Sequence, residues 1–475
     1  MREFSDKALA GSLGLFLLLA LFRGGNTEAG ILFALAGTVL VLTLLVLLTV
    51  TANARDLTSD GAAIYFTGAL LVILAVGVLG LLPVSTSTWL SLPGRQIYGS
   101  LIAALAQPAF DVHKLPLSID ATNTRRALLA LAPCIAISIA VPQLTRRSLL
   151  RLLGAFALLA AAQALLGLFQ LGFRGASLFV LEYAGHNRAS GTFVNKNHYA
   201  TLLAMALPLL IFRSAGQFSF FSSGNASALS NAWWGVVTAF VAAALVASLS
   251  RVGVLAGGIA AMLAVAACPL REHLRSRKVL FAALAMVALA IALALMTGLG
   301  ALLRSVTQGG LGDAASSRSL MNTHTWTGIA AFFPVGAGLG SYAVAFQRFQ
   351  TPSLLGFVEY AHNDYLQLLF ETGLIGVVIL MLFAVSTAMV ARNLWRSHDN
   401  TGPRSPAIAC LLGALAFAIH ACFDFPAHIP AVAIIATLLF SASMNSTLLE
   451  RGQRREIDET LTRNMLVRKA YRKLA

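Results

Sequence analysis

AHNDYLQLLFETGLIGVVILMLFAVSTAMVA, residues 361–391, passes from a polar opening into an apolar run, and that run decides the class of fold. From 364 to 391 the residues are mostly apolar and numerous enough for one helix to cross the roughly 30 Å hydrocarbon layer of a bilayer. At the opening, His362, Asn363 and Asp364 stand where the helix begins, with Gly373 and Gly376 further along it. Polar groups at such a junction are costly in a lipid-soluble chain and call for a reason.

The rest of the chain repeats the pattern. It is 58% hydrophobic and only 11% charged, with mean hydropathy +0.79, which excludes a water-soluble globule. Twelve windows have the length and apolarity of a membrane helix: 8–22, 30–52, 62–84, 126–144, 149–172, 198–214, 232–250, 252–270, 279–303, 364–391, 406–424 and 427–449. The first sits behind Arg2 and Lys7 like the core of a signal peptide, but the polar LFRGGNTEAG that follows offers no small-x-small cleavage site, so a retained helix is expected. The expectation is an all-α integral membrane protein of about twelve transmembrane helices, residues 1–475 forming a single polytopic domain.

Orientation follows from lysine and arginine. With the N-terminus inside, 22 of the 34 basic residues fall in short cytoplasmic segments, including eight in the tail 450–475. The far side carries the long loops 85–125, 173–197 and 304–363, the last being the main periplasmic loop. The positive-inside rule therefore predicts both termini in the cytoplasm. The net charge of +15 is accounted for by this asymmetry and implies no nucleic-acid partner. The basic tail reads as a topology anchor or as an amphipathic helix on anionic headgroups. FSFFSSGNASALSN, 218–231, reads as a flexible cytoplasmic linker, and 92–120 as holding a helix that rests on the outer membrane surface.

Cys134, Cys268, Cys410 and Cys422 lie in or at the ends of apolar segments and form no CxxC pair, so packed thiols are expected rather than a disulfide framework or zinc site. No Walker loop, HExxH or Asp-x-Asp pair occurs, which argues against a soluble nucleotide, a metal or another cofactor. An enzyme here needs an activated substrate from elsewhere, and a lipid-linked donor reacted on the outer face satisfies that requirement.

Four polar clusters converge on that face in the predicted topology: SLSRVG (248–253) with Arg251; HNRASGTFVNKNHYA (186–200) with His186, Arg188, Asn195, Lys196, Asn197 and His198; RSLMNTHTWTGIAAFFPVGAGLGSY (318–342) with Arg318, His324, Trp326 and three glycines; and AHND (361–364). The planar guanidinium grips phosphate oxygens from two nitrogens and stays charged at any working pH. Arg251, Arg318 and Arg188 together would make a pyrophosphate cradle. His420, Asp424 and His428 recur every fourth residue nearby, although Pro426 interrupts the helix, and they are secondary candidates.

These stretches resemble the O-antigen ligase and O-antigen polymerase superfamily of bacterial membrane glycosyltransferases. Its signature is His, then Asn, Ser or Gln, nine residues, and Gly-x-x-Gly; His362-Asn363 and Gly373-Leu-Ile-Gly376 satisfy it without a gap. The GTFVNKNHYA, SLSRVG and FFPVGAGLGSY stretches follow the family's order, so 186–377 is the ligase-like core region. The resemblance implies a GT-C-like bundle in the bacterial inner membrane, with periplasmic loops roofing the active site. It further implies a metal-independent, inverting transfer of glycan from undecaprenyl pyrophosphate to an acceptor sugar hydroxyl. The acceptor would be lipid A core for a ligase or another lipid-linked glycan for a polymerase.

On that reading His362 is the base, expected to stay neutral and accepting at a helix start beside arginines. Arg251 and Arg318 carry the leaving-group charge. Arg188, Asn195, Lys196, Asn197, His198, His324, Asn363 and Asp364 bind substrate. Gly373 and Gly376 are expected to let a neighbouring helix approach, and the glycines at 336–340 to form a turn. A polysaccharide transporter or flippase is the competing reading, expected to place its polar groups at mid-bilayer on broken helices.

Overall fold

The computed structural model describes residues 10, 11, 13, 14, 61–105, 113–172, 188–221, 227–268, 310–354, 356–396, 405–445 and 448. The predicted spans 30–52 and 279–303, nearly all of 8–22, and the basic tail lie outside the described residues.

The bundle is built from α1 (Gly61–Gly80), α4 (Ala121–Ala140), α5 (Arg146–Gly172), α6 (Lys196–Ser214), α7 (Ala228–Ala247), α8 (Arg251–Ala267), α12 (Leu374–Arg396), α13 (Ser405–Ala421) and α14 (Pro430–Ser443). Five of these stretches are long and apolar enough to cross a membrane: α1, α4 with its extension to Gln143, α5, α7 and α12. The shorter α8, α13 and α14 are apolar too. Short polar caps set the starts: Asp120, Asn195, Ser227 and Ser250 each accept a backbone N–H in the first turn.

Helix α6 is the innermost element, buried almost throughout. Small residues allow its neighbours to close on it. A Cβ added at Gly253 of α8 would strike Ala200, one at Gly257 would lie 3.1 Å from the Ala204 Cβ, and one at Gly413 of α13 would lie 2.6 Å from the Met205 carbonyl. Helices that cannot gain from expelling water must gain from close contact, which small residues permit. On the other flank α1 packs on α12, where the Ser386 hydroxyl donates to the Ala62 carbonyl at 2.7 Å.

At one end lies a smaller layer: the strands β1 (Pro83–Ser85) and β2 (Lys114–Pro116), paired antiparallel; α2 (Thr86–Ser91) and α3 (Gly99–Leu105); α9 (Gly310–Phe332); α10 (Tyr342–Ala345); and α11 (Asp364–Thr372). The residues expected to loop from 304 to 363 thus contain a long helix. Met321, Thr325, Gly328 and Phe332 give α9 one buried face, which closes with Tyr342, Phe346 and Phe370 into a second, aromatic core. Ile97 and Leu101, beside and within α3, expose apolar side chains, as a surface-resting helix would.

The opening stretch differs from its sequence reading. The window 364–391 is two helices, because Gly373 takes φ +57° and ends α11 before α12 begins. The interrupted linker behaves differently as well: Phe218 and Phe220 are buried, Phe220 against Trp234, while 222–226 lie outside the described residues. All four cysteines are free thiols, three of them buried.

Candidate functional site

The starts of α6, α8 and α11 and the end of α13 meet at the same end of the bundle, and most of the sequence-predicted polar residues arrive there with them. Three of these are helix N-termini, whose dipoles favour negative charge. The segment 188–195 that feeds α6 is fixed by two glutamines of α5. Gln163 exchanges hydrogen bonds with Thr192, donating from Nε2 at 2.9 Å and accepting the backbone N–H at 3.0 Å, and Gln170 holds Gly191 in the same two-way fashion. Gly191 has φ +57°, and a side chain there would run into Gln163.

Asp424 is the hub. Its Oδ1 accepts from His362 Nδ1 at 3.0 Å and from the Phe425 N–H at 3.0 Å. Its Oδ2 accepts from the Asn197 amide and lies 3.6 Å from Arg318 and 4.0 Å from His420. Ser250 donates to Asn197 Oδ1 at 2.8 Å, so the loop before α8 fixes the amide that fixes the carboxylate. The carboxylate is 1% exposed. Burial raises the pKa of such a group, but the hydrogen bond from His362 and the charges of His362, His198 and His420 outweigh it and hold Asp424 down at about 2.

His362 is the other half of the pair. With Nδ1–H donated to Asp424, its Nε2 is left as the proton acceptor, on a side chain 29% exposed. Its backbone is left-handed, φ +50°, which few non-glycine residues adopt without a compensating role. The ring stands edge-on to Phe425 at 4.9 Å, and the buried His198 ring stands edge-on to it at 4.8 Å. Phe425 is itself stacked on Tyr360 at 4.2 Å.

Lys196 lies within electrostatic reach of Arg188, Arg251 and Arg318 and donates to the Leu249 carbonyl at 2.9 Å. Four cations therefore share one region, one of them, Arg318, beside the buried Asp424 carboxylate. The arrangement suits a ligand bearing several negative charges next to an acidic hydroxyl proton.

Other predicted residues serve the scaffold. Asn195 and Asn363 cap α6 and α11, Asn363 accepting from the Tyr365 and Leu366 amides at 3.1 Å each. Asp364 is buried and takes the His428 Nδ1–H at 2.8 Å and the Ala427 N–H at 2.9 Å, which locks the turn carrying Asp424 to the start of the helix that follows His362. Gln367 donates to His428 Nε2 at 3.0 Å and completes that lock. His324 is on the opposite flank of α9 from Arg318, about 120° around the helix. Asp424, His420 and His428 are more central than the sequence indicated. Their every-fourth spacing was the available signal; α13 ends at Ala421, and Asp424 stands in the turn between it and Pro426.

Residues 236–381 match the sequence family described as O-antigen ligase. The match runs from α7 into α12 and includes Arg251, Arg318, His362 and the Gly373-x-x-Gly376 signature, and it supports the O-antigen ligase and polymerase superfamily for this chain. No curated protein matches the chain.

Proposed function

We propose, from the O-antigen ligase match, that this multi-pass membrane protein transfers a glycan from undecaprenyl pyrophosphate to a sugar hydroxyl at the periplasmic face of the bacterial inner membrane. The observation that carries the reading is the His362–Asp424 pair set beside Arg318, Arg251, Arg188 and Lys196. The acceptor hydroxyl gives its proton to His362 Nε2 as its oxygen bonds to the anomeric carbon. The bond from that carbon to the phosphate oxygen breaks on the opposite face, so the anomeric centre inverts. The electron pair leaves on the lipid pyrophosphate, where the guanidinium groups and Lys196 stabilise it.

Asp424 keeps His362 in the Nδ1–H tautomer and stabilises the imidazolium that forms, the role a carboxylate takes behind an acyl-transfer histidine. The cations supply the charge a divalent ion would otherwise bring, so the scheme is metal-independent. Lipid A core as acceptor makes the protein a ligase, and a second lipid-linked glycan makes it a polymerase. A transporter would spread its polar groups along the bilayer depth, whereas these sit together at one end of the bundle.

The test is a reconstituted assay with lipid-linked glycan as donor and either core lipid or further lipid-linked glycan as acceptor. His362→Ala is expected to lower kcat by about 10²–10⁴-fold, the usual contribution of a positioned general base. Chelation with EDTA is expected to leave the rate unchanged. Equal rates for wild type and His362→Ala would remove the base assignment, and EDTA sensitivity would contradict the charge scheme.

A further inference from the structure

Helix α9 brings Arg318 to Asp424 and then runs away from it, carrying an exposed tryptophan that the proposed chemistry leaves unused. Arg318, Asn322 and Trp326 follow one another at every fourth position, which places them along a single slanting ridge of the helix. The first is tied to the site, 3.6 Å from the Asp424 carboxylate. The Asn322 amide oxygen is buried and meets no hydrogen-bond partner among the described residues. Trp326 is 55% exposed although the opposite face of α9 is packed into the aromatic core. The residues beside this ridge on the outer face are Ser319, Thr323 and Thr327, all exposed.

An open indole face set among exposed hydroxyls has the chemistry that holds sugars: the apolar C–H face of a pyranose ring stacks on an aromatic ring while its hydroxyls bond to polar groups alongside. A lipid-embedded ridge would need apolar neighbours at these positions. Eight residues of helix put Trp326 about 12 Å along α9 from Arg318, roughly the length of two hexose units.

We propose that the Arg318–Asn322–Trp326 ridge is an extended saccharide subsite, with Trp326 stacking on a sugar one or two units removed from the bond that forms. This rests on the transferase reading. The shared ligand chemistry is a glycan chain, contributed by either the donor or the acceptor.

The experiment uses the full chain in liposomes. Lipid-linked glycans from the producing bacterium, fractionated by length, form one arm, and acceptor glycans fractionated by length form the other. In wild type, kcat/KM is expected to rise with chain length in one arm, which identifies the chain that occupies the ridge. Trp326→Ala is expected to lower the long-to-short ratio of kcat/KM in that arm by about tenfold, mainly through KM. Trp326→Phe should restore most of the ratio. An unaltered ratio in both arms for Trp326→Ala overturns the subsite. So does a loss equal at every length, which would make Trp326 an anchor at the membrane interface. Wild type inactive with every substrate would instead overturn the transferase reading on which the subsite rests.

Discussion

His362 holds an unfavourable backbone conformation, about 1–3 kcal/mol above the ordinary regions for a residue with a Cβ, and what it gains is a side chain aimed at Asp424. The carboxylate's contribution is separable from its shape. Asp424→Asn keeps the volume and removes the charge, so the imidazole loses both its fixed tautomer and its counter-ion. A fall in kcat of about 10²–10⁴-fold with little change in KM is the expected outcome, measured in the same transfer assay; a change confined to KM would show that Asp424 acts on binding alone. The depressed pKa has a second consequence. Because Asp424 titrates at about 2 in the folded protein, below its value near 3.8 when unperturbed, its ionised form stabilises the fold at every pH above the unfolded value. That stability, on the order of 2–3 kcal/mol, is lost as pH falls from about 4 towards about 2. In thermal unfolding of detergent-solubilised protein, the gap between wild type and Asp424→Asn should close as pH falls from about 4 towards about 2, and a gap unchanged across that range would contradict the assignment.

At the scale of elements, the join between α11 and α12 shows why the signature needs two glycines. Gly373 has φ +57°, and a Cβ there would collide with the Pro334 carbonyl, which accepts the Leu374 N–H at 2.9 Å. At Gly376 a Cβ would lie 2.6 Å from the Thr372 hydroxyl, so this glycine lets α12 fold back on the end of α11. Neither opens a path for a separate helix, as their spacing in the sequence had indicated. The turn expected at 336–340 forms, with Gly336, Gly338 and Gly340 all at positive φ. What the sequence did not reveal is that Glu371 holds it, its carboxylate accepting the Gly340 N–H at 2.8 Å and the Tyr342 N–H at 3.3 Å. Gly373→Ala combines strain with a backbone clash and should cost about 2 kcal/mol or more, read as a lower unfolding temperature, with transfer activity falling alongside because His362 leads directly into α11. An unchanged unfolding temperature would mean that the turn relaxes freely. Apolar length and caps can be read along the chain, so most helices and the positions of His362 and Arg251 were legible. The partner of His362 was not, since Asp424 reaches it across 62 residues of sequence through a turn that no local pattern specifies.

For the whole molecule, the remaining consequence is direction. The family match ends at 381, yet Asp424 and its lock with Asp364 come from the chain beyond it, so the site is closed by a segment that must return to the same end of the bundle. The distribution of lysine and arginine predicts that this end faces outward. Helix α12 offers a ruler: its 23 residues span about 34 Å, enough to carry the chain from the site to the opposite surface. Phe357, just before the site, and Trp395, near the far end of α12, are 67% and 78% exposed. A cysteine placed at each in turn, in a chain whose four native cysteines are replaced, gives two reporters for a membrane-impermeant maleimide applied to intact spheroplasts. Phe357→Cys is expected to label at once and Trp395→Cys only after the membrane is opened. The reverse pattern would put the site in the cytoplasm, where a glycan already flipped to the outer leaflet could not reach it, and the proposed substrate would fall with the orientation.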